Sequence, residues 1–402
     1  MRPRTSRLVP LLNTGLAPFT ARRDADRYLH KILDRLGTSP GEDPEFIDGM
    51  RFLLREVAQA DRLSPLGWLS FTGDIKARIA NRARIRRRIA ECPAILDERI
   101  ERPIVVVGLP RTATTLAHRI LAAAPGARGP ALWEWGHTDL ALPEAQRRKA
   151  IRSVDNAMRV VGLLAPALRD IHPQSAEAAD ECAFLLPHGE QHLARTSLPG
   201  YESWLATYDF GPDYEYHRQA LQVLQYGRER RRWVLKCPTH LGRLDLILRL
   251  YPDALIVWTH RDPAEVVGSI ASLVEASRGA HQHRLNTDDL HDIGRMVVTS
   301  MSGLVDKGRT ARTGIPRDQI IDLRYPELTA DPLGKVEWLY GQLDLEWTAA
   351  DEDRVRAATE YRPGRPHEYA LDRYGLTPAD IKTAFGDYGR LAEPPVFGSG
   401  ST

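Results

Sequence analysis

Four apolar residues, Ile104-Val105-Val106-Val107, run into Gly108-Leu109-Pro110-Arg111-Thr112-Ala113-Thr114-Thr115, and Leu116 to Ala124 then has helical character. This junction constrains the fold more than any other feature. A short, continuous apolar run reads as a strand buried on both faces, as in a parallel sheet. Strand texture returns at Trp233-Val234-Leu235, at Leu255-Ile256-Val257-Trp258 and at Gln319 to Leu323. Helical stretches follow each: Leu241 to Leu250, about Ala264 to Glu275, and about Leu333 to Gln342. The alternation predicts an α/β fold: P-loop-like, three α/β/α layers and a mostly parallel, doubly wound sheet. Ligands of such sheets sit beyond the carboxyl ends of the strands. The residues just after each apolar run are therefore the ones to read for chemistry.

Around this core the chain divides into three. Residues 1–100 read as a helical N-terminal extension, with Ile32, Leu33, Leu36 and then Phe52, Leu53, Val57 at helical spacing. Residues 101–345 form the α/β domain, with a helical insertion at about 137–230 that shapes an acceptor pocket. Residues 346–402 are a closing segment. Within the extension, Lys76, Arg78, Arg82, Arg84, Arg86, Arg87 and Arg88 alternate with isoleucines. They read as a solvated helix face, with a patch for an acidic partner or membrane surface as the alternative.

The charge balance narrows the partners. With 55 basic and 53 acidic residues the net charge is +2. Nothing pulls the whole surface towards nucleic acid, so an anion site must be local. The apolar stretch Leu8 to Leu12 is interrupted by Asn13 and Pro18, unlike a leader peptide, and no apolar run reaches the ~18 residues of a membrane span. A cytoplasmic protein without a transmembrane segment is expected, with transient membrane-surface contact left open. Three separated cysteines (Cys92, Cys182, Cys237) suggest neither a disulfide framework nor a zinc site. His281, His283, His291 and Asp292 fit no zinc spacing and read as a mobile loop beside the acceptor pocket, so no metal is expected.

Counted as a Walker loop from Gly108, the turn has Ala113 at the second glycine, Thr114 at the lysine and Thr115 at the hydroxyl. Its backbone and following helix still suit an anion. The lysine that serves β- and γ-phosphates is missing, and Arg111 lies in the loop instead. That disfavours a nucleotide kinase or hydrolase and favours another phosphate ester. After the strand ending at Trp258, Arg261 leaves the strand end and Ser269 follows two helical turns later. An arginine fork and a hydroxyl converging there suit a second phosphate. His260-Arg261-Asp262 lacks the asparagine and the Gly-rich loop of a protein kinase.

Pro110-Arg111-Thr112-Ala113-Thr114-Thr115-Leu116 resembles the PRSGTTL loop of sulfotransferases that use 3'-phosphoadenosine-5'-phosphosulfate (PAPS), and Arg261 with Ser269 is similar to that family's 3'-phosphate site. Trp233 to Leu273 resembles the family continuously. So do Arg324-Tyr325-Pro326-Glu327-Leu328 with Asp331-Pro332, and the closing His367-x-Tyr369 and Tyr374-Gly375-Leu376. The nearest likeness is to the bacterial branch with a helical N-terminal extension.

The resemblance implies that Arg111 to Leu116, with the hydroxyls of Thr112, Thr114 and Thr115, hold the 5'-phosphosulfate. Arg261 and Ser269 would take the 3'-phosphate, and Tyr325 would approach the adenine. Thr112 and Ala113 replace the family's serine and glycine; the second change matters if that position needs positive φ. Lys236, one of only seven lysines, matches a catalytic lysine that stabilises the leaving phosphate, with PAP as product. Two residues compete as base for the acceptor proton. Glu134 lies between Trp133 and Trp135 at a spacing similar to that of tyrosyl-protein sulfotransferases. His240 follows Lys236 somewhat as in cytosolic sulfotransferases. Asp180 and Glu181 are further candidates, and Arg362, Arg365 and His367 are candidates to close over the phosphates.

The expected activity is in-line sulfuryl transfer, without a required metal, to a hydroxyl of a small-molecule or lipid-like acceptor. Phe184, Leu185, Leu186, Trp204 and Tyr208 are candidates to contact that acceptor. The alternative is a protein of the same fold that binds PAPS or PAP with altered or lost chemistry. The oligomeric state is open, and a homodimer is compatible with the sequence.

Overall fold

The computed structural model describes residues 5–20, 23–139, 142–171, 174–360 and 371–392. These fall into two compact units. One is drawn from residues 1–100, 130–230 and 273–286, the other from 101–129, 231–272 and 287–402.

The first unit is helical. It opens with α1 (Leu8–Thr20), α2 (Ala25–Leu36), α3 (Pro44–Gln59) and α4 (Pro65–Glu91). Local signals fix their ends. Asp24 accepts the Arg27 N–H to start α2, and Gly37 closes it in the left-handed conformation. Ser64 accepts from Gly67 N, with Pro65 in the first position of α4. Leu29 and Leu33 of α2, Met50, Leu53 and Val57 of α3, and Phe71, Ile75 and Ile79 of α4 share one core. The basic run of α4 differs from the sequence reading. Arg78 is buried, bonded to Asp74 (3.1 Å) and to the Leu186 carbonyl (2.5 Å), and Arg82 pairs with Asp43. Its remote carbonyl partner lies more than a hundred residues away in the chain, out of reach of local pattern.

The second unit carries the sheet. Its five strands are β1 (Ile104–Gly108), β2 (Ala127–Arg128), β3 (Arg232–Lys236), β4 (Leu255–His260) and β5 (Ile320–Arg324). They lie in the order β2-β3-β1-β4-β5, and every pairing is parallel. β1 and β4 are wholly buried, as their unbroken apolar runs require. After β1 the helix α5 (Thr114–Ala122) leads towards β2, whereas the chain leaves β4 towards β5 on the other side. The connections diverge, and a crevice opens at the carboxyl ends of β1 and β4. Register aligns the ends: Gly108 faces Thr259, Val106 faces Lys236, and His260 faces Arg324. Ile104, Val106, Val234 and Val257 pack with Ala117 and Leu121 of α5 and with Leu339 and Val355.

The 130–230 segment joins the helical unit. It contains α6 (Leu132–Gly136) and α7 (Glu144–Leu164), then shorter helices and Gly211–Gln225. One strand escapes the sequence reading: β2 is two residues long, held by pairing with β3. α1 falls within the expected helical extension and runs through Asn13 and Pro18.

Candidate active site

The loop after β1 is shaped by backbone conformation. Arg111 and Ala113 both take a left-handed φ of 71°. Such a loop curls amide N–H groups inward and makes an anion-binding concavity, here continued by the N-terminus of α5. Position 113 therefore does take positive φ, and Ala113 holds it at a cost of about 1 kcal/mol relative to glycine. Gly108 has φ 136°, and a Cβ there would meet the Thr259 hydroxyl and carbonyl. Only glycine allows this approach of β1 to β4.

Hydroxyls fasten the loop. Thr112 Oγ1 donates to the Leu109 carbonyl at 2.6 Å and lies 2.5 Å from Thr259 Oγ1. Thr112 and Thr114 are buried. Thr259 was not singled out from the sequence; its place directly before His260-Arg261 at a strand end was the available signal. Lys236 ends β3 fully buried, and its Nζ donates to Thr115 Oγ1 at 3.3 Å. The lysine thus ends its strand beside the N-terminus of α5, where the backbone amides of the loop also gather.

The second cluster joins the first. Arg111 Nε donates to Ser269 Oγ at 3.1 Å, and Arg261 Nη1 to the Arg111 carbonyl at 3.0 Å. The Arg261 guanidinium stacks over the Tyr325 ring, 4.2 Å from its centroid. Its remaining fork is held by the exposed carboxylate of Glu265, with Nε to Oε2 at 2.8 Å. Asp262 caps the helix Pro263–His281 through Ala264 N at 2.7 Å, and Asp331 caps Pro332–Gln342. Both are structural. Arg111, Thr112, Ala113, Thr115, Lys236, Arg261, Ser269 and Tyr325 are thus linked at the carboxyl edge of one sheet. Thr114 and Leu116 lie in the first turn of α5.

Behind them His260 fixes β4 to β5. Its Nε2 meets Asp322 Oδ1 at 2.8 Å and its Nδ1 the Tyr388 hydroxyl at 3.3 Å, while Arg312 holds both Asp322 oxygens at 2.6 Å. Burial raises the Asp322 carboxyl, but the bonds from Arg312 and His260 outweigh it and hold the group well below the usual range. Burial lowers the His260 imidazole. His260 thus braces the end of the sheet, tying β4 to β5 and to Tyr388.

The two candidate bases lie in different units. His240 is buried in the 3-10 turn Pro238–Arg243, directly after β3, with its N–H on the Cys237 carbonyl. Glu134 lies in α6 of the helical unit, buried, with Oε2 accepting the Ala131 N–H at 2.8 Å. Asn81 of α4 braces this helix through the Trp135 carbonyl and Thr138. Asp180 accepts from Gln174 and from the Glu181 N–H. Leu185 and Leu186 are buried, and Trp204 stacks on Tyr208 at 4.2 Å in the helical unit. His281 and His283 fall in one unit, His291 and Asp292 in the other. Arg362, Arg365, His367 and Tyr369 lie outside the described residues.

Comparison with known proteins agrees with this arrangement. A model of the sulfotransferase family matches residues 103–349. The omega-hydroxy-beta-dihydromenaquinone-9 sulfotransferase Stf3 of Mycobacterium bovis, and that of Mycobacterium tuberculosis, are 30% identical over 275 residues. That stretch is 64% of this chain and 66% of theirs, so the match spans just under two thirds of these relatives. Among solved structures, sulfotransferase STF1 from M. tuberculosis aligns with TM-score 0.76 and 28% identity, over 91% of this chain and 100% of the other. Sulfotransferase STF9 from Mycobacterium avium aligns with TM-score 0.78 and 25% identity, over 91% and 96%. With the family's region covering the whole sheet and the loop after β1, the chain belongs to the sulfotransferase family.

Proposed function

We propose that this protein is a cytoplasmic, PAPS-dependent sulfotransferase that acts on the hydroxyl of a small-molecule or lipid-like acceptor. The observation that carries the reading is the linkage of Lys236, Thr115, Arg111, Ser269, Arg261 and Tyr325 along one sheet edge. Two anion-seeking places, one at a helix N-terminus and one on an arginine fork, fit a nucleotide with separate 5'- and 3'-phosphate groups. When bound, PAPS supplies an electrophilic sulfuryl group on a phosphate leaving group. The loop amides and the hydroxyls of Thr112, Thr114 and Thr115 orient that group. Arg261 and Ser269 select the 3'-phosphate, with Tyr325 beside the base. Lys236 presents its ammonium where negative charge develops on departure. Glu134 or His240 takes the acceptor's proton as the hydroxyl attacks. The Stf3 relatives, whose name specifies a hydroxylated menaquinone derivative, support a lipid-like acceptor.

Radiolabelled transfer from PAPS into a metabolite or lipid extract tests the reading. Labelled product is expected with wild-type protein. Its absence, with PAP binding retained, favours the second reading, a binding protein with lost chemistry, which the left-handed Ala113 supports. Glu134→Gln and His240→Asn separate the bases. The base is the residue whose loss abolishes transfer while PAP still binds, and wild-type turnover in both variants contradicts the assignment.

A further inference from the structure

The first helix of the chain is turned inside out. Val9, Asn13, Leu16 and Thr20 form the stripe of α1 that faces the helical unit. Val9 and Thr20 are buried, and Asn13 Oδ1 accepts the Leu66 N–H at 3.0 Å. The opposite stripe, Leu8, Leu11, Leu12 and Phe19, lies in solvent, with Leu11 70% and Phe19 85% exposed. An ordinary surface helix buries its large apolar residues and exposes its polar ones. Between Leu8 and Thr20 there is no charged residue at all. The end of α7 behaves alike: Val160 and Leu163 are exposed, the latter by 65%. The Ser6 N–H donates to the Leu164 carbonyl at 2.8 Å and joins the start of α1 to the end of α7. Single exposed leucines are ordinary, but two joined helices that both present large apolar side chains are not.

Charge around the patch decides its occupant. Arg7 stands exposed directly before α1, and no acidic residue lies between it and Thr20. α7 carries Arg147, Arg148, Lys149, Arg152 and Arg159 against Glu144 and Asp155. Apolar side chains flanked by basic ones match the boundary between acyl chains and anionic headgroups. A second copy of the chain fits less well, because a twofold contact would set arginine against arginine. No described helix is long and apolar enough to cross a membrane, so the contact is one at the surface. We infer that α1 and the end of α7 seat this protein on an anionic lipid bilayer. This goes beyond the sulfuryl-transfer reading and does not depend on it.

Co-sedimentation with phosphatidylcholine vesicles, with and without phosphatidylglycerol, tests the inference without any turnover. Wild-type protein is expected to sediment with the anionic vesicles, less so at high salt. The double substitution Leu11→Ser with Phe19→Ser should weaken binding roughly tenfold or more, with circular dichroism and melting temperature unchanged. Hydrogen exchange on the wild type gives a second readout: the α1 amides should become protected when anionic vesicles are added. Absence of wild-type binding, binding indifferent to the double substitution, or unprotected α1 overturns the inference. So does a wild-type dimer in light scattering that the substitution dissolves, because the patch then serves self-association.

Discussion

In the proposed mechanism Lys236 carries the charge that matters most to sulfuryl transfer. It is fully buried at the end of β3 and reaches Thr115 at the start of α5. Lys236→Met keeps the length of the side chain and removes the cation. Transfer should fall by about 10²–10³-fold in kcat, the usual cost of losing one preorganised electrostatic contact. Circular dichroism of the variant should match the wild type, so that the loss is one of turnover and not of folding. Unfolding of Lys236→Met with no change in specific activity would make the lysine structural. This residue was legible because lysine is scarce in the chain and a strand end is where sheets of this kind do chemistry. Thr259 and Glu265 were not, because their importance comes from partners that only the folded sheet edge brings near: Thr112 for one and the Arg261 fork for the other.

At the scale of elements, local pattern specified what was strongly periodic. The apolar runs of β1 and β4 were readable, because burial on both faces leaves a residue signature. The apolar stretch of α1 reads as interrupted because Asn13 and Pro18 fall within it, yet the helix runs through both. β2 has two residues and no pattern to read. A glycine in the interior of α3 shows the same principle from the other side. Gly49 costs a helix about 1 kcal/mol relative to alanine, yet a Cβ there would collide with the His188 imidazole. His188 is held in place by both Asp213 oxygens (3.1 Å) and the Tyr208 hydroxyl (3.1 Å). Gly49→Ala is therefore expected to destabilise by about 1–3 kcal/mol despite its better helix propensity. Denaturant titration checks this, and adding His188→Ala should make the alanine far better tolerated. A stabilised Gly49→Ala would refute the packing argument.

For the whole molecule, the histidines set the response to acid. Burial pushes the His192 and His217 imidazoles down to about 3 and His281 to about 4. In the unfolded chain each titrates near ~6.5. Between those values the unfolded state holds the extra protons, so stability falls as pH drops from about 6.5 towards the folded values and is level above that window. Melting temperature should be flat from neutral to mildly alkaline pH and decline steadily below about 6.5, with a shallower slope for His217→Gln. A flat profile well into the acid range would contradict the burial of these rings.

The small net charge has a counterpart at this scale. On the proposed reading, a ligand with several negative charges is met by a few placed groups, Arg111, Lys236 and Arg261, and by loop amides, in a chain whose net charge is only +2. Titration with PAP and with ADP, followed by thermal shift, tests that claim most directly, since ADP carries its phosphates on the 5' side alone. PAP should stabilise the wild-type protein well beyond ADP, and Arg261→Ala should remove the difference. An equal response of the wild type to the two nucleotides would contradict a 3'-phosphate site at Arg261 and Ser269, and with it the assignment of the cofactor.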